Sequence, residues 1–195
     1  MKSLLLFALL SAYGLCVYAQ VGIGTTTPNA VLDIQSPSDN LPALELNPQT
    51  NPIGTAAGQI SVIGDRLFLY DATRSKWLST ETSIFSFGDE GSIDEGNLEY
   101  AGDITDNGPR IVENASIVYL TANSTQGNQS KIISLNITDS HGTVTGHEFQ
   151  LVNGSLILEN LDIEVETGDS IQVSAVSVGG PIRGLSVTFW TKWRK

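Results

Sequence analysis

Cysteine and methionine each occur once, as Cys16 and Met1, and both fall in the first nineteen residues. Downstream of Ala19 the chain therefore has neither disulfides nor thiol chemistry. Histidine is almost as scarce. His141 and His147 stand six apart with no cysteine and no third histidine nearby, which makes a poor zinc site. Asp139-Ser140-His141 brings together three residue types of a hydrolytic triad, but neighbours in one loop rarely reach triad geometry, and no Gly-x-Ser-x-Gly elbow occurs. Basic residues are few as well: 10 against 21 acidic ones, a net charge of −11. That balance repels a phosphate backbone over the molecule as a whole, so nucleic acid is not an expected partner. No apolar run approaches the roughly 20 residues of a membrane-spanning helix, and no segment after residue 19 has helical periodicity.

What is present begins with a signal. In "MKSLLLFALLSAYGLCVYA", Lys2 precedes an apolar stretch from Leu4 to Leu10, and Val17 and Ala19 stand at the two small-residue positions. This reads as a secretory signal peptide over residues 1–19, cleaved after Ala19. The competing reading, a lipoprotein signal on Cys16, has bulky Leu15 where such signals want a small residue. Cleavage leaves nine basic residues against 21 acidic ones in a chain long enough to fold without disulfide staples. The product is expected outside the cytoplasm, secreted or on the cell surface, with the periplasm as the other destination.

The exported part reads as all-β. Alternation at period two recurs in Ser116–Ala122, Lys131–Ile137, Ser170–Val176 and Leu185–Trp193. In the last, Leu185, Val187, Phe189 and Trp193 share one face, which leaves Trp190 and Lys192 on the other. The charged terminus "WTKWRK" reads as the end of that strand, with a nucleic-acid stripe as the lesser alternative. Composition changes near Ser83. Pro28, Pro37, Pro42, Pro48 and Pro52 crowd the region before Gly54 and exclude a helix or a long central strand there. Ile60–Ile63 and Leu67–Tyr70 flank Gly64-Asp65 as a hairpin too small to stand alone, with Trp77 as an aromatic anchor. The expected division is 1–19 signal peptide, 20–83 β stalk with hairpin, and 84–195 one β-sandwich head.

"VGIGTTTP" invites a nucleotide-loop reading and fails it. Thr27 stands in place of a third glycine, Pro28 follows, and no Gly-Lys-Ser/Thr ending occurs. The stretch "VGIGTTTPNAVLDI", Val21–Ile34, resembles instead the N-terminal module of exported Bacteroidetes proteins and phage tail-fibre-like proteins, in which a short Pro/Gly-rich segment entwines three chains. "GQISVIGDRLFLYDATRSKWLS" resembles the small hairpin unit that often follows it. "SFGDEG", "NASIVYLTAN", "GDSIQVSAV" and "VTFWTKWRK" resemble the terminal jelly-roll heads of trimeric fibres, architectural relatives of the complement and tumour-necrosis-factor trimers. The resemblance implies a homotrimeric, non-enzymatic, fibre-like protein, either an adhesin or a structural subunit of a larger surface assembly. It implies no catalytic residues and no cofactor, and its partners would be other copies and a surface glycan or protein.

One constellation stands out. Gly88–Gly108 carries seven acidic residues and no basic one before Arg110. It reads either as a solvated acidic linker or as a calcium site with Asp89, Glu90, Asp94 and Glu95 as ligands, wrapped by Gly88, Gly91 and Gly96. Polar loops at Asn123–Ser130 and Ser140–Gly146 read as ordinary loops or as ligand-contacting ones. The alternative function is a carbohydrate-active hydrolase or a lectin on a β-sandwich. A hydrolase would need paired carboxylates, and Glu148 and Glu164 are the candidates.

Overall fold

The computed structural model describes residues 20–36, 40–102, 104–106, 108–125 and 130–195. The signal peptide reading and its cleavage site involve residues outside the described ones. Among the described residues there is no helix, and the regular structure is fifteen β-strands. Contacts divide the chain into two compact units, Met1–Asn47 and Pro48–Lys195.

In the first unit, β1 (Val21–Ile23) and β2 (Leu32–Ile34) pair in parallel, Val21 opposite Leu32 and Ile23 opposite Ile34. Parallel strands ordinarily need a crossover of a dozen or more residues. Here the connection runs only from Gly24 to Val31, and glycine makes it feasible. Gly24 has φ of 75°, and a Cβ there would sit 2.0 Å from the carbonyl oxygen of Gln35. None of the described residues in this unit is buried; Val31 is 77% exposed and Leu32 56%.

The second unit opens with a three-stranded antiparallel sheet of β3 (Ile60–Ile63), β4 (Arg66–Asp71) and β5 (Lys76–Ser79). The Gly64-Asp65 turn lies where the sequence puts it, and Lys76–Ser79 adds a third strand. One face holds a small core of Ile63, Phe68 and Trp77 with Tyr70 packed against it. The Trp77 indole donates to the carbonyl of Pro52 at 2.9 Å, tying the preceding Pro-rich segment to this face.

The remaining strands are β6 (Ser83–Ile93), β7 (Gly96–Asn97), β8 (Glu99–Tyr100), β9 (Ala115–Asn123), β10 (Lys131–Thr138), β11 (Val144–Leu151), β12 (Ser155–Leu158), β13 (Ile163–Val165), β14 (Ser170–Val176) and β15 (Ile182–Trp193). They form two sheets, one ordered β12-β9-β15-β6-β8 with β13 also on β9, the other β11-β10-β14-β7. The antiparallel pairs are nested: β6 with β15, β7 with β14, β9 with β12, β10 with β11. That nesting is a long hairpin rolled into two sheets, a jelly roll. Alternate residues of both sheets close one core, including Ile117, Leu120, Val187 and Phe189 from the first and Ile133, Leu135, Ile171 and Val173 from the second. Phe189 stacks between Phe85 and Phe87, at centroid distances of 5.4 and 5.9 Å.

The three-stranded sheet sits with the sandwich, so the contact boundary at Asn47/Pro48 differs from the compositional boundary at Ser83. Composition registers where prolines stop. Contacts register what the hairpin packs on, and that surface is the end of β15 and the segments beside β9.

Candidate functional site

The junction between the three-stranded sheet and the sandwich concentrates the basic residues of the second unit. Arg66 on β4 pairs with Glu113, just before β9, and at 3.4 Å with Glu81. Lys76 on β5 reaches Asp162 at 2.8 Å and also Glu164 on β13. Arg74 pairs with Asp71 at 2.5 Å and donates through Nε to the carbonyl of Leu161 at 2.6 Å. Arg194 pairs with Glu166 and, at 3.6 Å, with Glu164, while Lys195 reaches Glu113 at 3.3 Å. Backbone bonds add to this: the amide of Lys195 donates to the Trp77 carbonyl at 3.1 Å, and that of Trp193 to Ser79 Oγ at 3.0 Å. The charged end of "WTKWRK" is thus a clasp on the three-stranded sheet, with Arg194 and Lys195 committed to carboxylates.

The electrostatics follow from these pairs. The hydrogen bond from Arg66 holds the Glu113 carboxyl below its ordinary range, and that from Lys76 does the same for Glu164. Burial pushes Asp71 up, but hydrogen bonds from the Arg74 backbone and guanidinium outweigh it and leave the carboxyl lowered. Lys76 is likewise raised, because Asp162 and Glu164 overcome the cost of burial.

Above this clasp lies a groove of about 310 Å³ between the three-stranded sheet and the outer face of the sandwich. Leu69 and Leu78 come from the small sheet, Val118 and Tyr119 from β9, Lys192 from β15, and Thr73 from the β4–β5 turn. Beyond Tyr119 the outer face of the six-stranded sheet carries Trp190 opposite both Ile84 and Tyr119, and Ile157 opposite Thr121. Ile84 is 60% exposed and Ile157 65%. The sequence alternation thus puts Trp190 on the expected side, and its neighbours form an apolar patch.

The acidic segment is distributed through the fold. Gly88–Gly108 is no linker: it contains the end of β6, all of β7 and all of β8, and it buries Ile93 and Leu98. Asp94 Oδ1 accepts from Lys131 Nζ at 2.9 Å, and that fully buried ammonium also donates to the Gly180 carbonyl at 3.0 Å. Asp89 Oδ1 accepts from the Gly91 amide at 2.6 Å. Glu90 and Glu95 are exposed. Among the described residues no three His, Cys, Asp or Glu side chains gather to hold a metal ion, so one chain does not bring Asp89, Glu90, Asp94 and Glu95 together as a calcium cage. Asp94, a candidate calcium ligand in the sequence, is the counter-ion of a buried lysine.

The other sequence candidates are likewise separated. Glu148 lies on β11 and Glu164 on β13, in different sheets, and Glu164 is engaged by Lys76 and Arg194. His141 sits in an exposed turn that Asp139 closes by accepting from the His141 and Thr143 amides at 2.8 and 2.9 Å, whereas His147 is on β11 opposite Leu135. The two polar segments flank opposite ends of β10, and Val144–Gly146 of the second belongs to β11. Residues 126–129 of the first loop lie outside the described residues.

No family model matches the chain, and no curated protein matches it. Among solved structures it is similar to the globular domain of zebrafish complement 1qA protein, with 15% sequence identity over 59% of this chain and 100% of that chain, and a TM-score of 0.37. The jelly-roll assignment rests on the strand registers themselves, which pair first with last and inward in order.

Proposed function

We propose that the chain is an exported, non-enzymatic, homotrimeric fibre-like protein, a surface adhesin or a structural subunit of a surface assembly. The observation that carries this reading is the unit before Pro48. It orders two strands around a tight glycine turn yet buries none of its described side chains, leaving Val21, Ile23, Val31, Leu32, Leu41 and Leu44 more than half exposed. An isolated two-stranded element is not stable in water, and exposed apolar surface on this scale marks an interaction site. Other copies of the same segment supply the cover. The resemblance of Val21–Ile34 to entwined fibre modules supports the same arrangement. The patch of Ile84, Trp190 and Ile157 offers the sandwich a contact surface of its own.

Export and exposure are tested on intact cells. Antibody raised against residues 84–195 should label them, and N-terminal sequencing of the labelled protein should begin at Gln20. Cytoplasmic retention with an intact Met1 end would end the surface reading, and a lipid-modified Cys16 would replace cleavage after Ala19 with anchoring.

A further inference from the structure

Among the basic residues at the junction, Lys192 differs from the rest. Arg66, Arg74, Lys76, Arg194 and Lys195 each face a carboxylate. Lys192 lines the groove, half buried, and forms no ion pair or hydrogen bond with any described residue. Its cross-strand neighbour Ser116 has a fully buried hydroxyl without a hydrogen-bond partner. Arg74, which also lines the groove, is neutralised by Asp71. The groove thus has one unspent positive charge in a chain of net charge −11.

We propose that this groove binds the carboxylate-bearing sugar at the end of an acidic glycan, with Lys192 meeting the carboxylate and Tyr119 the ring. The proposal rests on reading the chain as a surface binding protein. A volume of about 310 Å³ stands at the lower end of the range for small-molecule sites and suits a single sugar ring. An ammonium with no partner of its own gives a charge-assisted bond to a carboxylate without first breaking an internal pair. Tyr119, 44% exposed, presents an apolar ring to the C–H face of a pyranose from the β9 side, and Leu69 and Thr73 line the groove from β4 and the β4–β5 turn. The groove is open to solvent, as a hydroxyl-rich ligand requires and a lipid chain does not. Lys192 stands one same-face step beyond Trp190 toward the three-stranded sheet, so contacts between copies over Trp190, Ile84 and Ile157 border the groove without filling it.

The experiment titrates residues 20–195 with 3′-sialyllactose, a glucuronate-ended disaccharide and lactose, followed by saturation-transfer NMR. At least one acidic sugar should bind about tenfold more tightly than lactose, the effect of one charge-assisted hydrogen bond. Lys192→Gln should remove that preference, Lys192→Arg should keep it, and Tyr119→Ala should weaken both acidic and neutral sugars. Absence of binding by both acidic sugars, equal binding of lactose, or an unchanged preference in Lys192→Gln overturns the proposal. The comparison of acidic with neutral sugar needs no variant, so a folding defect cannot leave the question open. Sedimentation of the same samples keeps the two readings apart. A trimer that ignores acidic sugars removes only the groove assignment, and a monomer that binds them removes only the fibre reading.

Discussion

Residues 20–47 and the sandwich spend similar side chains in opposite ways. Val21, Ile23, Val31 and Leu32 are as apolar as Ile117, Val187, Leu120 and Ile133, yet the first four are exposed and the last four buried. The sandwich has two sheets to close against each other. The N-terminal unit has one parallel pair with nothing described on either face. Apolar content therefore sets how much surface must be covered, and topology decides whether the same chain can cover it. Where it cannot, the proposed assembly of copies would supply the cover.

The comparison can be broken at several points. Phe189→Ala in the sandwich should cost about 3–5 kcal/mol in urea unfolding, because it opens a cavity between Phe85 and Phe87. Leu32→Ala should leave the unfolding of the sandwich unchanged and weaken only association; a comparable loss of sandwich stability would mean the two units do not differ as described. At the buried ammonium, Asp94→Ala should cost about 2–3 kcal/mol, less than a fully buried pair because Asp94 is half exposed, while Lys131→Met should be close to neutral. The junction should respond to acid. Glu113 and Glu164 have lowered folded-state values, so their contribution is complete above the ordinary glutamate value of 4.5 and is lost as pH falls through the lowered values. Each exposed pair contributes no more than about 1 kcal/mol. The expected sign is a change in tryptophan fluorescence from Trp77 and Trp193 below that pH, preceding global unfolding. The smallest effect concerns calcium, which should raise the melting temperature no more than sodium at equal ionic strength. A rise confined to calcium would point to Asp89, Glu90, Asp94 and Glu95 acting across copies.

Much of this architecture is legible in the sequence because alternation reports burial directly. Ser116–Ala122, Lys131–Ile137, Ser170–Val176 and Leu185–Trp193 all fall within observed strands, and Leu185, Val187 and Phe189 are buried as their spacing requires. Lys76–Ser79 carries too few residues to show a period, and only its pairing with β4 makes it a strand. The acidic segment misleads for a related reason. Seven carboxylates dominate its composition, while its buried apolar residues, Ile93 at the end of β6 and Leu98 between β7 and β8, stand singly and show no period. The groove is invisible in sequence because Tyr119, Lys192, Leu69 and Thr73 meet only through tertiary packing. The one hint is that Lys192 shares the outer face of β15 with Trp190.

The central claim is that the N-terminal unit is covered by other copies. Sedimentation equilibrium of residues 20–195 at micromolar concentration tests it directly. The account predicts a folded species of three chains that dissociates when Leu32 is replaced by Asp, with the sandwich still folded. A folded wild-type monomer, with β1 and β2 still paired, would contradict it.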